Sequence, residues 1–284
     1  SGQGDDMIVE EAKQPIRIID LFLHTAGFSY GFTDSEVDKR YRATFETLQS
    51  PTTDEVIAAI AKLPLNHQPG AQWHYGVNID VIGFLVERIT GKKLGDYMQE
   101  VIFRPLKMKD TGFFVQPTNI ERFAEVYGPG EKGETVLLDD EPLGDFISDP
   151  ESHNGGGGLV STMQDYLIFA QMLLNKGEYK GIRVLGKKTV EYMTTNHLPY
   201  DLLPYSPTEP GTGHALGMAV VVDESGLKKM GSVGSYGWGG AASTTFIVDP
   251  KENLILIAMT QFIPSSYHPY QEDFNNTVYQ ALVE

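Results

Sequence analysis

The sequence predicts an α+β protein in which helices come first and an antiparallel sheet follows. Residues 15–200 are predicted to form a mainly helical region with long loops, and residues 213–284 contain short β-rich runs and a closing helix. Apolar residues recur at helical spacing in the first region, whereas turn residues separate runs rich in β-branched residues in the second. Segregation of helices from strands along a chain is typical of α+β architecture.

Three helices of the first region can be located from their apolar spacing and their end signals. One covers residues 77–89 and stops at Gly91, because glycine readily adopts the left-handed conformation that ends a helix. A second is expected to be capped by Asp54. The third follows Ser161-Thr162 and runs through Leu174, because a serine or threonine hydroxyl can accept the first backbone N–H bonds of a helix.

The last third of the chain carries the signals of a β-meander. Residues 216–222, 244–248 and 254–260 are predicted strands, and the polar residues 249–253 between the last two are typical of a hairpin turn. An amphipathic helix is predicted over residues 271–282. These elements would give an antiparallel sheet with a helix packed against it.

Composition and charge exclude several classes of partner. The chain has 284 residues, 41% of them hydrophobic, and a formal net charge of −16, so its field repels nucleic acid and anionic membranes. It has no cysteine, which excludes disulfides and thiol catalysis. The sequence shows no apolar run near the ~20 residues of a membrane span and no signal peptide at its start. No compartment is indicated.

Metal and cofactor sites are not expected. The seven histidines lack the spacing typical of zinc ligands. His24, within Leu23-His24-Thr25-Ala26-Gly27, is expected to be a hydrogen-bonded loop residue. We therefore expect neither a metal nor a cofactor.

Tyr75 is the first candidate for a chemical role. It follows a Pro69-Gly70 turn and directly precedes the predicted helix 77–89. A rigid helix start can hold a phenol in place, and a tyrosine can accept a hydroxyl proton when nearby positive charge lowers its pKa. A tyrosine that only packs its ring at a helix start is the alternative.

The second candidate is the segment formed by Trp238, Gly239, Gly240 and Ala241, which is predicted to be a strand. Glycines weaken a strand, so they usually mark a bulge or the approach of a ligand to the backbone. The backbone N–H of Ala241 can stabilise an oxyanion that forms in a transition state. A purely structural bulge is the alternative.

Four consecutive glycines at residues 155–158 form a third unusual segment. They lack the Lys-Ser/Thr ending of a phosphate-binding loop, so a backbone bend or the wall of a site is the better interpretation. His153 and Asn154 directly precede them and are candidate substrate-binding residues. Solvated loop residues are the alternative for both.

Ser225 begins the sole Ser-x-x-Lys pattern of the sequence, Ser225-Gly226-Leu227-Lys228. Serine and lysine at this spacing face each other only when the serine begins a helix. Ser225 instead falls on a predicted hairpin turn. We therefore do not expect it to be a nucleophile.

Four landmarks, taken in order, resemble the serine β-lactamase-like superfamily. They are Leu23-His24-Thr25-Ala26-Gly27, then Pro69-Gly70 with Trp73-His74-Tyr75, then residues 155–162, and finally Trp238-Gly239-Gly240. From Ile16 onward the chain is similar to the C-terminal three quarters of class C β-lactamases and, more closely, of β-lactamase-like carboxylesterases. The resemblance implies a β-lactamase/penicillin-binding-protein-like fold, with an antiparallel sheet flanked by helices and a mainly helical region.

The resemblance also implies roles for individual residues. Tyr75 would be the catalytic tyrosine, acting with a lysine toward a serine nucleophile. Trp238, Gly239 and Gly240 would replace the Lys-Thr-Gly strand of true β-lactamases, and the Ala241 N–H would form half of the oxyanion hole. The Ser-x-x-Lys helix of the family would belong to an N-terminal segment that is not in this chain.

Two departures from the family pattern concern the substrate. Trp238 stands where a lysine would meet a substrate carboxylate, and Val77 stands where the tyrosine motif usually carries asparagine, with Asn78 one position further on. Both changes favour a small ester or acyl substrate. The leading prediction is an esterase-type serine hydrolase. The alternatives are a β-lactamase or D-Ala-D-Ala-type peptidase, and a non-catalytic binding scaffold.

The predicted strand 254–260 raises the question of a partner. It is apolar on both faces and carries no charge, which is typical of an interior strand, since a free apolar edge invites aggregation. We expect an N-terminal fragment of the same protein, or another copy of the chain, to cover it.

Overall fold

The computed structural model describes residues 7–138, 144–206 and 209–283. The helices are α1 (Ile18–Phe22), α2 (Glu36–Glu46), α3 (Thr53–Ile60), α4 (Asn78–Thr90), α5 (Leu94–Met98), α6 (Arg104–Leu106), α7 (Met163–Leu174), α8 (Lys187–Met193) and α9 (Tyr270–Gln280). The strands are β1 (Tyr127–Pro129), β2 (Thr135–Leu137), β3 (Glu178–Tyr179), β4 (Ile182–Arg183), β5 (Thr212–His214), β6 (Ala219–Val221), β7 (Tyr236–Gly239), β8 (Thr245–Asp249) and β9 (Leu254–Ala258). Helices followed by an antiparallel sheet confirm the predicted α+β class.

Contacts within the chain group the residues into two compact units. Unit 1 consists of residues 1–99, 150–158 and 198–202, and unit 2 of residues 100–149, 159–197 and 203–284. Each unit therefore combines segments that are distant in sequence. The predicted regions 15–200 and 213–284 divide the chain by its type of secondary structure, whereas the two units divide it by contacts. The predicted division therefore stays a prediction.

Unit 1 is built around α4. Gly91 follows α4 in the left-handed conformation, with φ of 67°, so the predicted end of this helix is confirmed. Buried side chains from α2, α3 and α4 pack together with Val77, which directly precedes α4. The members of this core are Tyr41, Val56, Ile60, Val77 and Phe84.

The predicted cap of α3 was wrong by two residues. Thr52, and not Asp54, caps the helix: its side chain accepts from the N–H of Glu55, and the Glu55 carboxylate accepts from the N–H of Thr52 at 2.9 Å. This reciprocal arrangement satisfies two donors at the helix start. Asp54 lies within the first turn and pairs with Arg88 of α4 at 3.1 Å on the surface.

The glycine run packs closely on α4. A methyl group added at Gly155 would lie 2.6 Å from the carbonyl oxygen of Ile79 and 3.3 Å from the Cα atom of Gly83. Both atoms belong to helix backbone and cannot move aside. A methyl group at Gly157 would meet no atom within 4 Å. Residues 155–157 form a turn, as the backbone-bend interpretation predicts, and close approach explains the first glycine of the run. A role as the wall of a site stays a prediction.

Unit 2 contains a five-stranded antiparallel sheet with strand order β5-β6-β7-β8-β9. Helix α7 packs against β8 and β9, where Tyr166 meets Phe246 edge-on with a centroid distance of 5.0 Å. The predicted capping of α7 is confirmed, and of the two candidates Thr162 is the cap, since its side chain accepts from the N–H of Asp165. Val248 of β8 and Leu256 of β9 are buried in this layer.

Helix α9 begins at Tyr270, one residue before its predicted start, and packs against β9. Tyr279 near its end donates to the carboxylate of Asp249 at the end of β8, over 2.6 Å. Gln271 in its first turn donates to the carbonyl of Thr244, just before β8 begins. These hydrogen bonds tie the helix to both ends of that strand.

Strand β9 ends at Ala258, two residues before its predicted end. Among the strands that the structure describes, it pairs with β8 alone and lies at the edge of the sheet. Its predicted cover by another segment or chain stays a prediction. Within the described ranges, no helix is long and apolar enough to cross a bilayer.

Substituting Gly155 tests the close approach to α4. We expect Gly155→Ala to lower the free energy of unfolding by about 1–3 kcal/mol, because helix backbone has to shift to admit the methyl group. The matched variant Gly157→Ala should stay within about 0.5 kcal/mol of the wild type, since its methyl group meets nothing. Urea unfolding of both proteins measures the difference, and equal losses would contradict the packing argument.

Candidate active site

Tyr75 lies where two loops of unit 1 meet. Gly70 of the Pro-Gly turn donates its N–H to the carbonyl of Thr25 at 2.7 Å, and His74 donates its N–H to the carbonyl of His24 at 2.8 Å. Gly70 has a φ of 82°, which favours glycine. The loop hydrogen bonds and the start of α4 at Asn78 therefore hold the backbone of Tyr75 on both sides.

The ring of Tyr75 belongs to an aromatic cluster. We define this cluster as His24, Tyr30, Phe32, Trp73 and Tyr75. Its ring contacts with Tyr75 have centroid distances of 4.9 Å for His24, 5.2 Å for Tyr30, and 6.2 Å for both Phe32 and Trp73. The Trp73 and Phe32 rings are close to parallel to that of Tyr75, with interplanar angles of 13° and 27°.

His24 has the loop role that was predicted for it. It is buried, its φ is 53°, and its Nδ1 lies 3.0 Å from Nδ2 of the buried Asn78. Asn78 therefore contacts the cluster through His24. Val77, which stands at the usual family position of the asparagine, is part of the core.

A buried carboxylate ties the aromatic cluster to the glycine turn. Asp80 accepts from the hydroxyl of Tyr30 at 2.5 Å and from the N–H of Gly156 at 3.0 Å. Burial raises the pKa of Asp80 above its usual value, against the opposing effect of these two hydrogen bonds. Burial and the neighbouring Asp80 raise the pKa of Tyr30 far above its usual range, so its hydroxyl remains a donor.

His153 and Asn154 lie in the same unit as Tyr75. His153 is buried, and its Nδ1 accepts from the N–H of Gly95 in the first turn of α5 at 2.9 Å. A solvated-loop interpretation is therefore wrong for His153. Asn154 is exposed, and its carbonyl accepts from the N–H of Gly158 at 3.0 Å, which closes the glycine turn.

In unit 2, the predicted strand over residues 238–241 is shorter than expected. β7 ends at Gly239, and Ala241 lies at the first corner of a tight turn to β8. The N–H of Ser243 donates to the carbonyl of Gly240 at 3.0 Å, and Ser243 has a φ of 69°. Such a hairpin loop does not use the N–H of its first corner residue. Ala241 is exposed, and the turn does not use its N–H. The family resemblance assigns this N–H to the stabilisation of an oxyanion.

Residues outside the hairpin turn fix its backbone by hydrogen bonds. The carbonyl of Ala242 accepts from the N–H of Phe262 at 3.1 Å, and the hydroxyl of Ser243 donates to the carbonyl of Phe262 at 2.7 Å. Tyr270 of α9 also donates to the carbonyl of Ser243. Donors held in this way lose little free energy on reorganisation when charge develops near them.

The glycines around Trp238 differ in whether the fold leaves room for a side chain. A methyl group at Gly237 would overlap the Phe246 carbonyl of the next strand, and one at Gly240 would overlap the Thr244 hydroxyl. A methyl group at Gly239 would lie 3.5 Å from the nearest atom, an ordinary contact, and Gly239 is exposed. Packing within the described chain therefore does not explain Gly239.

Trp238 packs in an uncharged aromatic group. Its ring lies 5.6 Å from that of His214 and 6.2 Å from that of Tyr205. His214 is fully buried, and burial lowers its pKa to about 4, although a hydrogen bond to the Ala215 carbonyl opposes this change. The imidazole is therefore neutral at pH 7. Neither ring partner of Trp238 offers a positive charge.

Ser225 does not begin an α-helix. It lies in the 3₁₀ turn Glu224–Gly226, so the predicted hairpin turn at this position is corrected to a short helical turn. Its hydroxyl donates to the carboxylate of Asp223 at 2.7 Å on the surface. Within residues 7–138, 144–206 and 209–283, no group of three or more acidic or histidine side chains could hold a metal ion.

The predicted site residues thus lie in two groups, one in each unit. Tyr75, His153 and Asn154 belong to unit 1, and residues 238–241 belong to unit 2. Sequence analysis missed Tyr30, Phe32 and Asp80 in the first group and Tyr205 and His214 in the second. The one available sign was the density of aromatic residues within Phe28-Ser29-Tyr30-Gly31-Phe32.

Comparison with known sequences places the chain in a family. The sequence model of the Beta-lactamase family matches residues 8–276. The chain belongs to the Beta-lactamase family. The expected resemblance is therefore confirmed.

Individual relatives and structures share much of the chain. It is 36% identical over 260 residues to an uncharacterized protein of Mycobacterium tuberculosis, covering 89% of this chain and 64% of that protein. It is 28% identical to a lovastatin esterase of Penicillium rubens, covering 88% of this chain and 65% of the esterase. The solved structure of EstCE1, a hydrolase with promiscuous acyltransferase activity, superposes with a TM-score of 0.82 at 23% identity, covering 94% of this chain and 73% of EstCE1.

The extent of these matches matters for function. The chain spans slightly less than two thirds of the length of both curated relatives. The structural likeness to EstCE1 confirms the predicted β-lactamase/penicillin-binding-protein-like fold, and at that identity it shows the fold alone. Which reaction the protein performs depends on its site residues.

The two strand glycines give a matched pair of variants. We expect Gly237→Ala to lower the free energy of unfolding by about 3 kcal/mol or more, because its methyl group overlaps strand backbone. Gly239→Ala should change the free energy by less than about 1 kcal/mol. Urea unfolding measures both, and a large loss in Gly239→Ala would mean that packing explains this glycine after all.

His214 should make unit 2 less stable in acid. The unfolded chain gains a proton at histidine below about pH 6.5, whereas folded His214 stays neutral until about pH 4. The contribution of His214 to stability is therefore present above pH 6.5 and is lost as the pH falls toward 4, by roughly 1 kcal/mol per pH unit.

The variant His214→Asn isolates this effect from the other titrating groups. It should be less stable than the wild type at pH 7, and the difference should narrow between pH 6.5 and pH 4. Urea unfolding at half-unit steps of pH gives the two curves. A difference that stays constant with pH would contradict a neutral His214 in the folded protein.

Proposed function

We propose that the protein is an esterase-type serine hydrolase that cleaves small carboxylic esters through an acyl-enzyme. The observation that carries the proposal is the uncharged group of Trp238, Tyr205 and neutral His214 in unit 2. In the family resemblance, this position holds a lysine that would meet a substrate carboxylate. An aromatic group favours a neutral substrate instead, because a carboxylate would lose its hydration without gaining a cation.

Two further facts support an ester substrate. Gly239 is exposed and free of packing demands, which suits a ligand that approaches the strand backbone. The relative from Penicillium rubens is named for the hydrolysis of an ester. Membership of the Beta-lactamase family supplies the wider class of hydrolase chemistry.

In the proposed reaction, a serine hydroxyl attacks the ester carbonyl while Tyr75 accepts its proton. The Ala241 N–H stabilises the oxyanion, the alcohol leaves with a proton from Tyr75, and water then hydrolyses the acyl-enzyme. The serine and a partner lysine come from a segment outside this chain. The four ring neighbours of Tyr75 include no permanently charged cation, so such a lysine would also supply the charge that a proton-accepting phenol requires.

The substrate-binding roles of the remaining candidates are part of this proposal. Trp238, Gly239 and Gly240 would line one side of the ester. Asn154 is exposed, and a substrate-binding role for it is part of the proposal. The Nδ1 of His153 already accepts from the N–H of Gly95 in α5. We therefore propose that His153 acts by positioning the glycine turn that follows it in the chain.

Strand β9 provides the place where the outside segment would attach. Its outer edge pairs with no other strand of the described residues and offers backbone donors and acceptors next to an apolar strand, which are the requirements for adding another strand. We therefore propose that an N-terminal fragment of the same protein, or a second copy of the chain, covers β9.

Replacing Tyr75 by phenylalanine tests the proposed chemistry. In a preparation that carries the nucleophile, we expect Tyr75→Phe to lower kcat/KM for p-nitrophenyl acetate by about 10²–10⁴-fold, because proton transfer contributes that much. The ring and its contacts with His24, Tyr30, Phe32 and Trp73 remain in this variant. Tyr200→Phe, at a tyrosine that is 90% exposed, is the control and should retain full activity.

The same preparation separates the alternative functions. A loss of less than tenfold in Tyr75→Phe would remove Tyr75 from the mechanism. Rapid turnover of nitrocefin would favour a β-lactamase. If no serine reacts with a fluorophosphonate, as read by mass spectrometry of the intact protein, the chain would belong to a non-catalytic binding scaffold.

A further inference from the structure

Phe32 is a large apolar side chain with an unusual degree of exposure. It is 73% exposed, although it belongs to the aromatic cluster around Tyr75. Its ring is close to parallel to that of Tyr30, with a centroid distance of 5.4 Å and an interplanar angle of 29°. It also stacks on Tyr75 at 6.2 Å and 27°. One face of the aromatic cluster is therefore open to solvent at Phe32.

The backbone on either side of Phe32 is fixed by a buried polar network. The N–H of Thr33 donates to the Asp38 carboxylate at 2.8 Å, and the Thr33 hydroxyl donates to it at 2.6 Å. On the other side, the N–H of Gly31 donates to the hydroxyl of Ser29, which in turn donates to Asp38 at 2.6 Å. Asp38 is fully buried, and the hydrogen bonds through Ser29 are buried with it, whereas those from Thr33 are partly buried.

Arg42 reinforces the same loop. Its guanidinium donates to the carbonyls of Gly31 and Thr33, the two residues that flank Phe32. Gly31 has a φ of 84°, and a methyl group there would lie 2.6 Å from the Arg42 side chain. The tight turn at Gly31 and the Arg42 contact thus depend on each other, and they hold the base of Phe32 in one position.

The charge state of Asp38 fits this holding role. Burial alone would raise its pKa, but hydrogen bonds from Ser29, Thr33 and Asn66 outweigh burial and lower the pKa to about 2. The carboxylate is therefore ionised at neutral pH and accepts all of these bonds at once. An exposed aromatic residue on a rigid, buried support is what a recognition surface requires, because little side-chain and backbone freedom is lost on binding.

We propose that Phe32, with Tyr30 and Tyr75, forms an aromatic platform that binds a flat, unsaturated ring of the substrate. Phe32 is stacked on both Tyr30 and Tyr75, with interplanar angles of 29° and 27°, whereas the Tyr30 and Tyr75 rings are tilted by 55° to each other. The exposed Phe32 ring is therefore the main stacking surface, and stacked rings gain more than their buried area alone provides. The identification of the ligand as an ester rests on the proposed function. The platform itself rests on the geometry of unit 1, so binding and hydrolysis can fail separately.

The first experiment measures binding without turnover. Three ketones replace the ester: 2-acetonaphthone carries a flat ring system, cyclohexyl methyl ketone a saturated ring, and butanone no ring. Titration followed by saturation-transfer NMR gives a dissociation constant for each with the chain as it exists. The platform should bind 2-acetonaphthone at least about tenfold more tightly than the other two, because stacking and a larger apolar area both favour it.

Variants of Phe32 then locate the binding. Phe32→Ala should weaken 2-acetonaphthone binding about tenfold or more. Phe32→Leu keeps an apolar side chain but loses the ring, so it should abolish the preference for the flat ketone, and Phe32→Trp should restore that preference. Ile89→Ala, at a side chain that is 74% exposed on α4, is the matched control and should bind as the wild type does.

Two results would overturn the platform. One is equal binding of the three ketones by the wild type, and the other is unchanged binding of 2-acetonaphthone by Phe32→Ala. A preparation that binds the ketone through Phe32 yet hydrolyses no ester would overturn the proposed function and leave the platform standing. In an active preparation, Phe32→Ala should raise KM for 2-naphthyl acetate at least about tenfold more than it raises KM for ethyl acetate.

Discussion

The carboxylate of Asp80 is the interaction on which the arrangement of unit 1 depends. It projects from the first turn of α4 and accepts from Tyr30 and from Gly156, which lie 50 and 76 residues away in sequence. A buried carboxylate without such donors would be strongly destabilising, so both segments have to reach it. Asp80 thereby fixes the aromatic cluster at one end and the glycine turn at the other. A tyrosine hydroxyl is a suitable donor here, because it resists ionisation when it is buried.

The glycines show how one residue type serves two purposes. Gly155 and Gly237 are required by backbone that lies too close to admit a side chain. Gly239 has ordinary space around it and an exposed position, so a different cause has to account for its lack of a side chain. A molecule that approaches the strand is such a cause. The geometry around each glycine, and not its presence in a motif, shows which glycines the packing of the chain requires.

Much of the fold could be predicted because its elements carry periodic or terminal signals. Helix α4 with its stop at Gly91, α7 with its Thr162 cap, and the strands β8 and β9 all follow from local sequence. The cap of α3 was misplaced because Thr52 and Asp54 are both acceptable capping residues. Two units built from interleaved segments could not be predicted, since contacts between distant residues leave no local pattern.

The candidate site was predictable only where a motif marked it. Tyr75 was found because a Pro-Gly turn precedes it and a predicted helix follows it. Asp80 has the appearance of an ordinary acidic residue in a first helical turn, and its burial results from Tyr30 and Gly156. Phe32 has the appearance of a core residue, because sequence cannot show that the cluster leaves its ring exposed. Long-range packing decides both cases.

Local charge is what distinguishes chemistries within a shared fold. Members of one fold family can act on charged and on neutral substrates, so the fold by itself does not select between them. In this chain, His214 is kept neutral by burial beside Trp238, and the ring partners of Tyr75 include no permanent cation. The ring partners of the candidate residues thus carry no permanent positive charge, although the buried Asp80 carboxylate lies against Tyr30 in unit 1. A substrate carboxylate would gain no cation from these rings, whereas an apolar ester would lose little hydration. The same reasoning extends to Phe32, because a rigid exposed ring gains most from a ligand that is itself flat and apolar.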